Sequence, residues 1–196
     1  ACKKALVEAN GDMKEAELLL RKQGEAKAAS KSSRQTSEGM AAISGNAIVS
    51  IRCETDFVAR NNEFISLGEG LAKEAAAKGA DAALAKFESE KTEKITKLGE
   101  NISLGEIHIV KGEVLGGYVH SNRKVATLVG LKGGTPQIAS EIAMHATAMN
   151  PLVVSPTDVA DELVLSEKEI WKDQLKNEGK PAEIIEKIMM GKEKKF

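Results

Sequence analysis

A strand–turn–strand–helix pattern occurs twice in this chain, and few arrangements satisfy it in both places. Residues 40–43, a Gly45-Asn46 turn and residues 47–53 read as a hairpin, with the Gly-Asn pair suited to a type II′ turn. Val49, Ile51 and Cys53 recur at period two, and Phe64, Leu67, Gly68, Leu71 and Ala75 then recur at the helical period, predicting a helix over 62–78. The second copy has strands over 115–120 and 125–131 around Ser121-Asn122-Arg123-Lys124. Its helix takes Thr135 as cap and Pro136 as first residue, with Ile138, Ile142, Ala146 and Met149 as the apolar stripe. Between the copies, Leu84, Phe87, Lys91, Ile95 and Leu98 predict a helix over 81–98, and residues 102–110 read as a third strand for the first sheet. The implied fold is α+β, with two similar subdomains, each a small antiparallel sheet backed by helices.

The flanks are helical. Ala5, Leu6 and Ala9 form one short stripe, and Asn10-Gly11 turns the chain. Asp12 with Glu15 makes a capping box before Met13, Ala16, Leu19 and Leu20, and Gly24 is the expected stop. Residues 25–38 are rich in Ala, Ser and Lys with little periodicity and read as a linker. Towards the other end, Ser155 and Ser166 each precede an acid by three residues, giving two helix starts, and Lys180-Pro181 gives a third after Gly179. Ile170, Trp171 and Leu175, then Ile184, Ile185, Ile188 and Met189, make an amphipathic pair that reads as the beginning of a coiled-coil arm.

Composition narrows the chemistry. A formal charge of −1 argues against a bulk electrostatic grip on nucleic acid, and no run of apolar residues is long enough for a membrane span. Cys2 and Cys53 make neither a metal spacing nor a disulfide framework, which fits a reducing cytoplasm. His108, His120 and His145 are scattered, and the glycine pairs at 116–117 and 133–134 lack the Lys-Ser/Thr of a phosphate loop. No metal, cofactor or catalytic set is expected, and an enzyme reading finds little support.

Aromatic residues make up only 3 % of the chain, so Phe57, in the connection between the first hairpin and its helix, requires a reason. Phe57 either folds back to staple the helix or plug the sheet, with Asp56 capping backbone donors, or it projects as a wedge into a partner. Residue types alone leave both open. His145 is similarly open: it lies on the stripe of Ile138, as a core residue or as a contact.

Thr55-Asp56-Phe57-Val58-Ala59-Arg60 resembles the signature loop of the bacterial elongation factor Ts family. The resemblance extends through Cys2-Lys3-Lys4-Ala5-Leu6, Glu8-Ala9-Asn10-Gly11-Asp12, Leu98-Gly99-Glu100-Asn101-Ile102, Ile142-Ala143-Met144-His145 and Gly179-Lys180-Pro181, in the family's order. It implies guanine nucleotide exchange on elongation factor Tu, without covalent catalysis. It also implies that Phe57, supported by Thr55, Asp56 and Val58, inserts near the partner's magnesium site and promotes GDP release. Lys3, Val125, Ala126 and His145 match further contact positions, although the family more often has Ile-Gly at the Val125-Ala126 pair. The implied domains are an N-terminal ubiquitin-associated-like helical domain over 1–24, a linker over 25–38, core subdomains over 39–111 and 112–155, and the start of a coiled-coil arm over 156–196. Such an arm serves self-association, giving a homodimer, or partner contact. The longer members of the family imply a chain truncated at both ends, lacking a first helix and a final core strand. Two other classes compete: a ribosome or nascent-chain binding module without exchange activity, and a purely structural coiled-coil protein.

Overall fold

The computed structural model describes residues 2–193 and 195–196. Among these it has eight α-helices, one short 3-10 helix and five strands in two antiparallel sheets, an α+β architecture. The chain divides into two compact units, Ala1–Met149 and Asn150–Phe196. Among the described residues no helix is long and apolar enough to cross a membrane.

The first sheet has the order β1 (Glu38–Ser44), β2 (Ala47–Cys53), β3 (Ile102–Ile109). Ser44 pairs with Ala47 across the turn, where Gly45 takes a positive φ of 53°. Helix α4 (Asn62–Lys78) covers this sheet, and α5 (Ala80–Leu98) packs beside it. Val49, Ile51 and Cys53 from β2 meet Phe64, Leu67 and Leu71 from α4 and Phe87 and Ile95 from α5 in one core. The alternation along β2 and the stripe along α4 thus fall inward as the sequence predicts. Each large apolar side chain fully buried here contributes about 1.5–3 kcal/mol. The second sheet pairs β4 (Val114–Val119) with β5 (Ala126–Leu131), and α6 (Pro136–Met149) lies on it.

Helix α6 departs from its predicted stripe. Ala139 and Ala143 are the buried residues, whereas Ile138, Ile142 and Met149 are exposed. The cause is close packing of small groups. A Cβ on Gly116 of β4 would stand 2.4 Å from the Ser140 nitrogen and 2.6 Å from the Ala139 side chain. Only the alanine face lets the helix lie this near the strand. His145 is exposed, beside exposed Met144, and is not a core residue.

The N-terminal helices are α1 (Cys2–Glu8) and α2 (Met13–Lys31). They pack through Ala5, Ala9 and Ala16, with Asp12 capping α2 as its spacing predicts. Contrary to the expected stop at Gly24 and linker over 25–38, α2 continues to Lys31. Mid-helix glycine costs roughly 1 kcal/mol, and tertiary contacts offset it. The Thr96 hydroxyl of α5, which donates to the Thr92 carbonyl at 2.8 Å, lies 3.3 Å from the Gly24 carbonyl, Lys31 donates to the Gly99 carbonyl, and Ala28 enters the main core.

In the second unit, a 3-10 turn (Pro156–Asp158) precedes α7 (Asp161–Asn177) and α8 (Ala182–Glu193). The predicted start at Ser166 falls inside α7, which begins five residues earlier. Asp161 and Glu162 occupy its first turn, where acidic side chains favour the helix N-terminus, so the capping pattern at Ser166 is unused. The two helices are in contact, and Leu175 and Ile185 are their buried residues. Half-buried Trp171 contacts Phe196 edge-on at 5.5 Å.

A clasped turn with an exposed aromatic

Helix α3 (Asp56–Ala59) is a single turn between β2 and α4. Thr55, not Asp56, is its cap: the Thr55 Oγ1 accepts from the Val58 N–H at 3.4 Å. Asp56 forms a 3.1 Å ion pair with Arg60. Val58 and Ala59 pack against the main core, and this rotation of the turn directs Phe57 outward, leaving it 82 % exposed. An aromatic so exposed beside two inward neighbours excludes the staple and plug readings.

The turn is held from behind. Glu100, just after α5, accepts from the Glu54 and Thr55 N–H groups (3.0 Å each) through one carboxylate oxygen. Its other oxygen accepts from the Thr55 hydroxyl at 2.6 Å. Glu54 reciprocates, accepting from the Asn101 N–H at 2.6 Å, and is paired with Arg34 at 3.6 Å. Buried Asn101 donates through Nδ2 to the Ser32 and Arg34 carbonyls. Cys53, fully buried next to this clasp, donates its thiol to the Thr55 carbonyl at 3.2 Å. Its desolvation, reinforced by the negative charges of Glu100 and Glu38, pushes the thiol pKa up to about 12, which keeps it protonated.

The second hairpin turn approaches the first subdomain here. Asp56, Ala59, Arg60, Ile65 and Gly39 line a groove of about 360 Å³ together with residues 121–124. Arg123, at a positive φ of 57°, pairs with Glu69 at 3.0 Å and offers its carbonyl to the Ala41 N–H. Lys124 pairs with Glu38 at 2.6 Å. Exposed Val125 and half-buried Ala126 follow directly in the chain, but neither lines the groove. Lys3 is exposed on α1, in a separate apolar groove with Leu6, Met13 and Leu20, and His145 is exposed on α6. Neither lines the groove beside Asp56.

Sequence reasoning did not single out Glu54, Glu100, Asn101 and Arg34 as the side chains that hold this turn. Glu100 and Asn101 belong to a segment that carries the family resemblance, but nothing in the sequence gives them a contact with the turn. Their partners lie more than 40 residues away, beyond the reach of any local pattern.

The fold and turn define a class: a doubled α+β scaffold that carries a rigidly mounted aromatic on its surface. Residues 54–196 match the family model described as Elongation factor TS. Over its whole length the chain is 42 % identical to Elongation factor Ts of Hahella chejuensis, covering 72 % of that protein. It is 43 % identical to that of Marinobacter nauticus (71 % covered) and 42 % identical to that of Photorhabdus laumondii (72 % covered). The chain belongs to the elongation factor Ts family, which places it among the translation elongation factors of protein biosynthesis.

Proposed function

We propose that this chain binds elongation factor Tu and accelerates its release of GDP. The observation that carries this is Phe57, largely exposed on a turn whose backbone is fixed from behind. An apolar ring held in water gains free energy when a partner covers it, and a rigid mount reduces the conformational entropy lost on docking. An exchange factor works by linkage: it binds the nucleotide-free partner more tightly than the nucleotide-bound one, and weakens nucleotide binding by the same factor. Phe57 acts as a wedge near the partner's magnesium site. Disturbing that ion removes charge neutralisation from the diphosphate and hastens GDP release. The magnesium belongs to the partner.

Within this reading the predicted residues divide by role. Thr55 and Val58 hold the turn, Asp56 pairs with Arg60 across it, and Phe57 makes the contact. Val125 and Ala126 extend the contact from the second hairpin, while Lys3 and His145 offer separate contacts on α1 and α6. The α7–α8 pair is the start of an arm open to self-association as a homodimer.

The decisive experiment is Phe57→Ala. Stimulated release of a fluorescent GDP analogue from elongation factor Tu falls by over roughly tenfold, the scale of an interface hot spot. Thermal stability changes by no more than about 0.5 kcal/mol, as for a surface substitution. Unchanged release by correctly folded Phe57→Ala rejects the wedge. A chain acting only as a ribosome or nascent-chain binding module would give no stimulation in the parent protein either.

A further inference from the structure

We propose that Glu100 is a positioning residue for nucleotide exchange, acting through Thr55 on the turn that carries Phe57; this rests on the exchange reading above. The β2 ladder ends where Cys53 pairs with Ile102, so the next two N–H groups have no strand partner. Glu100 supplies one carboxylate oxygen to both, at 3.0 Å each. Hydrogen bonds to an ionised acceptor are about twice as strong as neutral ones, and an unpaired donor in a half-buried loop would be costly. The remaining oxygen receives the Thr55 hydroxyl proton at 2.6 Å. With its proton committed there, the hydroxyl turns a lone pair towards the Val58 N–H and caps α3. One side chain therefore fixes the end of the strand, the rotor of the cap and the first turn of the helix bearing Phe57. Glu54 returns the contact to the Asn101 N–H, so the two connections hold each other from both sides.

Glutamine at position 100 preserves most of this geometry. Its carbonyl oxygen can accept from both backbone N–H groups, and its NH2 can donate to the Thr55 oxygen, which retains a lone pair for Val58. Alanine preserves none of it.

The test compares Glu100→Ala, Glu100→Gln, Thr55→Val and Phe57→Ala in the full chain. Stimulated GDP release is split into its maximal rate and half-saturating concentration, with amide hydrogen exchange followed by NMR. Glu100→Ala lowers the maximal rate roughly tenfold and speeds exchange at the Glu54, Thr55 and Val58 amides, while those of Val49 and Ile51 stay protected. Glu100→Gln restores the rate to within about threefold of the parent. The double variant with Phe57→Ala is no slower than Phe57→Ala alone, because Glu100 works through that ring. If Glu100→Ala fails to fold, Thr55→Val carries the test, since it deletes the cap and leaves both backbone bonds to Glu100. A parental maximal rate in folded Glu100→Ala, or in Thr55→Val, while Phe57→Ala is defective, overturns the positioning role and leaves the exchange reading intact. A silent Phe57→Ala rejects the wedge and with it the positioning role, and a parent chain that gives no stimulation overturns the exchange reading itself.

Discussion

The Cys53 thiol sits under the clasp with none of its surface exposed, and desolvation raises its pKa from 9.0 to about 12. The unfolded chain therefore loses this proton at a lower pH than the native one. Between pH 9 and 12 the unfolded state binds fewer protons, so stability falls as pH rises, by at most about 1.4 kcal/mol per pH unit from this group. Below pH 9 the contribution is fully present. Denaturant unfolding of the parent and of Cys53→Ala across this range checks the sign: the parent loses stability more steeply, and parallel curves would refute the assignment. Four residues on, Phe57 lies in water because Val58 and Ala59 take the inward positions. Which of the three apolar residues turned outward was not legible locally, because a four-residue helix has too little length for a stripe. The resemblance pointed to Phe57, and geometry supplies the physical reason.

Helices and strands were legible in proportion to how far their own side chains determine them. Strand β2 and helix α4 bury large residues at regular spacing, and both follow the pattern of Val49, Ile51, Phe64, Leu67 and Leu71. Gly24 and Ser166 misled because each carries a strong local signal that is overridden, by the contacts of α2 with α5 and by an earlier acidic first turn. Helix α6 misled through residue size: its isoleucines resemble a core stripe, yet alanines form the contact. That close approach gives a prediction. In Gly116→Ala the new methyl meets backbone atoms of α6 that cannot swing aside, so the helix must shift. Overpacking of this kind costs typically about 1–3 kcal/mol, seen as a lower urea midpoint with an unchanged slope. The conservative change Ala139→Gly leaves the approach open and costs only about 1 kcal/mol of helix propensity. A loss well below about 1 kcal/mol in Gly116→Ala would show that the contact is looser than the structure indicates.

Across the whole molecule, the turn, its clasp, the groove beside it and both sheets belong to the first unit, Ala1–Met149. The second unit has its own small contact set, with Leu175 and Ile185 buried, Trp171 against Phe196, and Lys168 paired with Glu193 at 2.6 Å. Helix α8, with 12 residues, is at the length of about 12–15 residues below which isolated helices are marginal in water, and α7, with 17, is only slightly beyond it, so the little surface they bury makes the pair weak alone. Cutting the chain after Met149 separates these contributions. The fragment 1–149 is expected to unfold in one cooperative transition by circular dichroism and to stimulate GDP release from elongation factor Tu with a maximal rate within a few-fold of the parent. Its sensitivity to Phe57→Ala should also be the same, because the wedge and the residues that mount it remain together. The complementary fragment 150–196 should be weakly helical and inactive. A non-cooperative or inactive 1–149, when the parent is active, would show that the clasped turn depends on the C-terminal helices and that the site extends beyond the first unit.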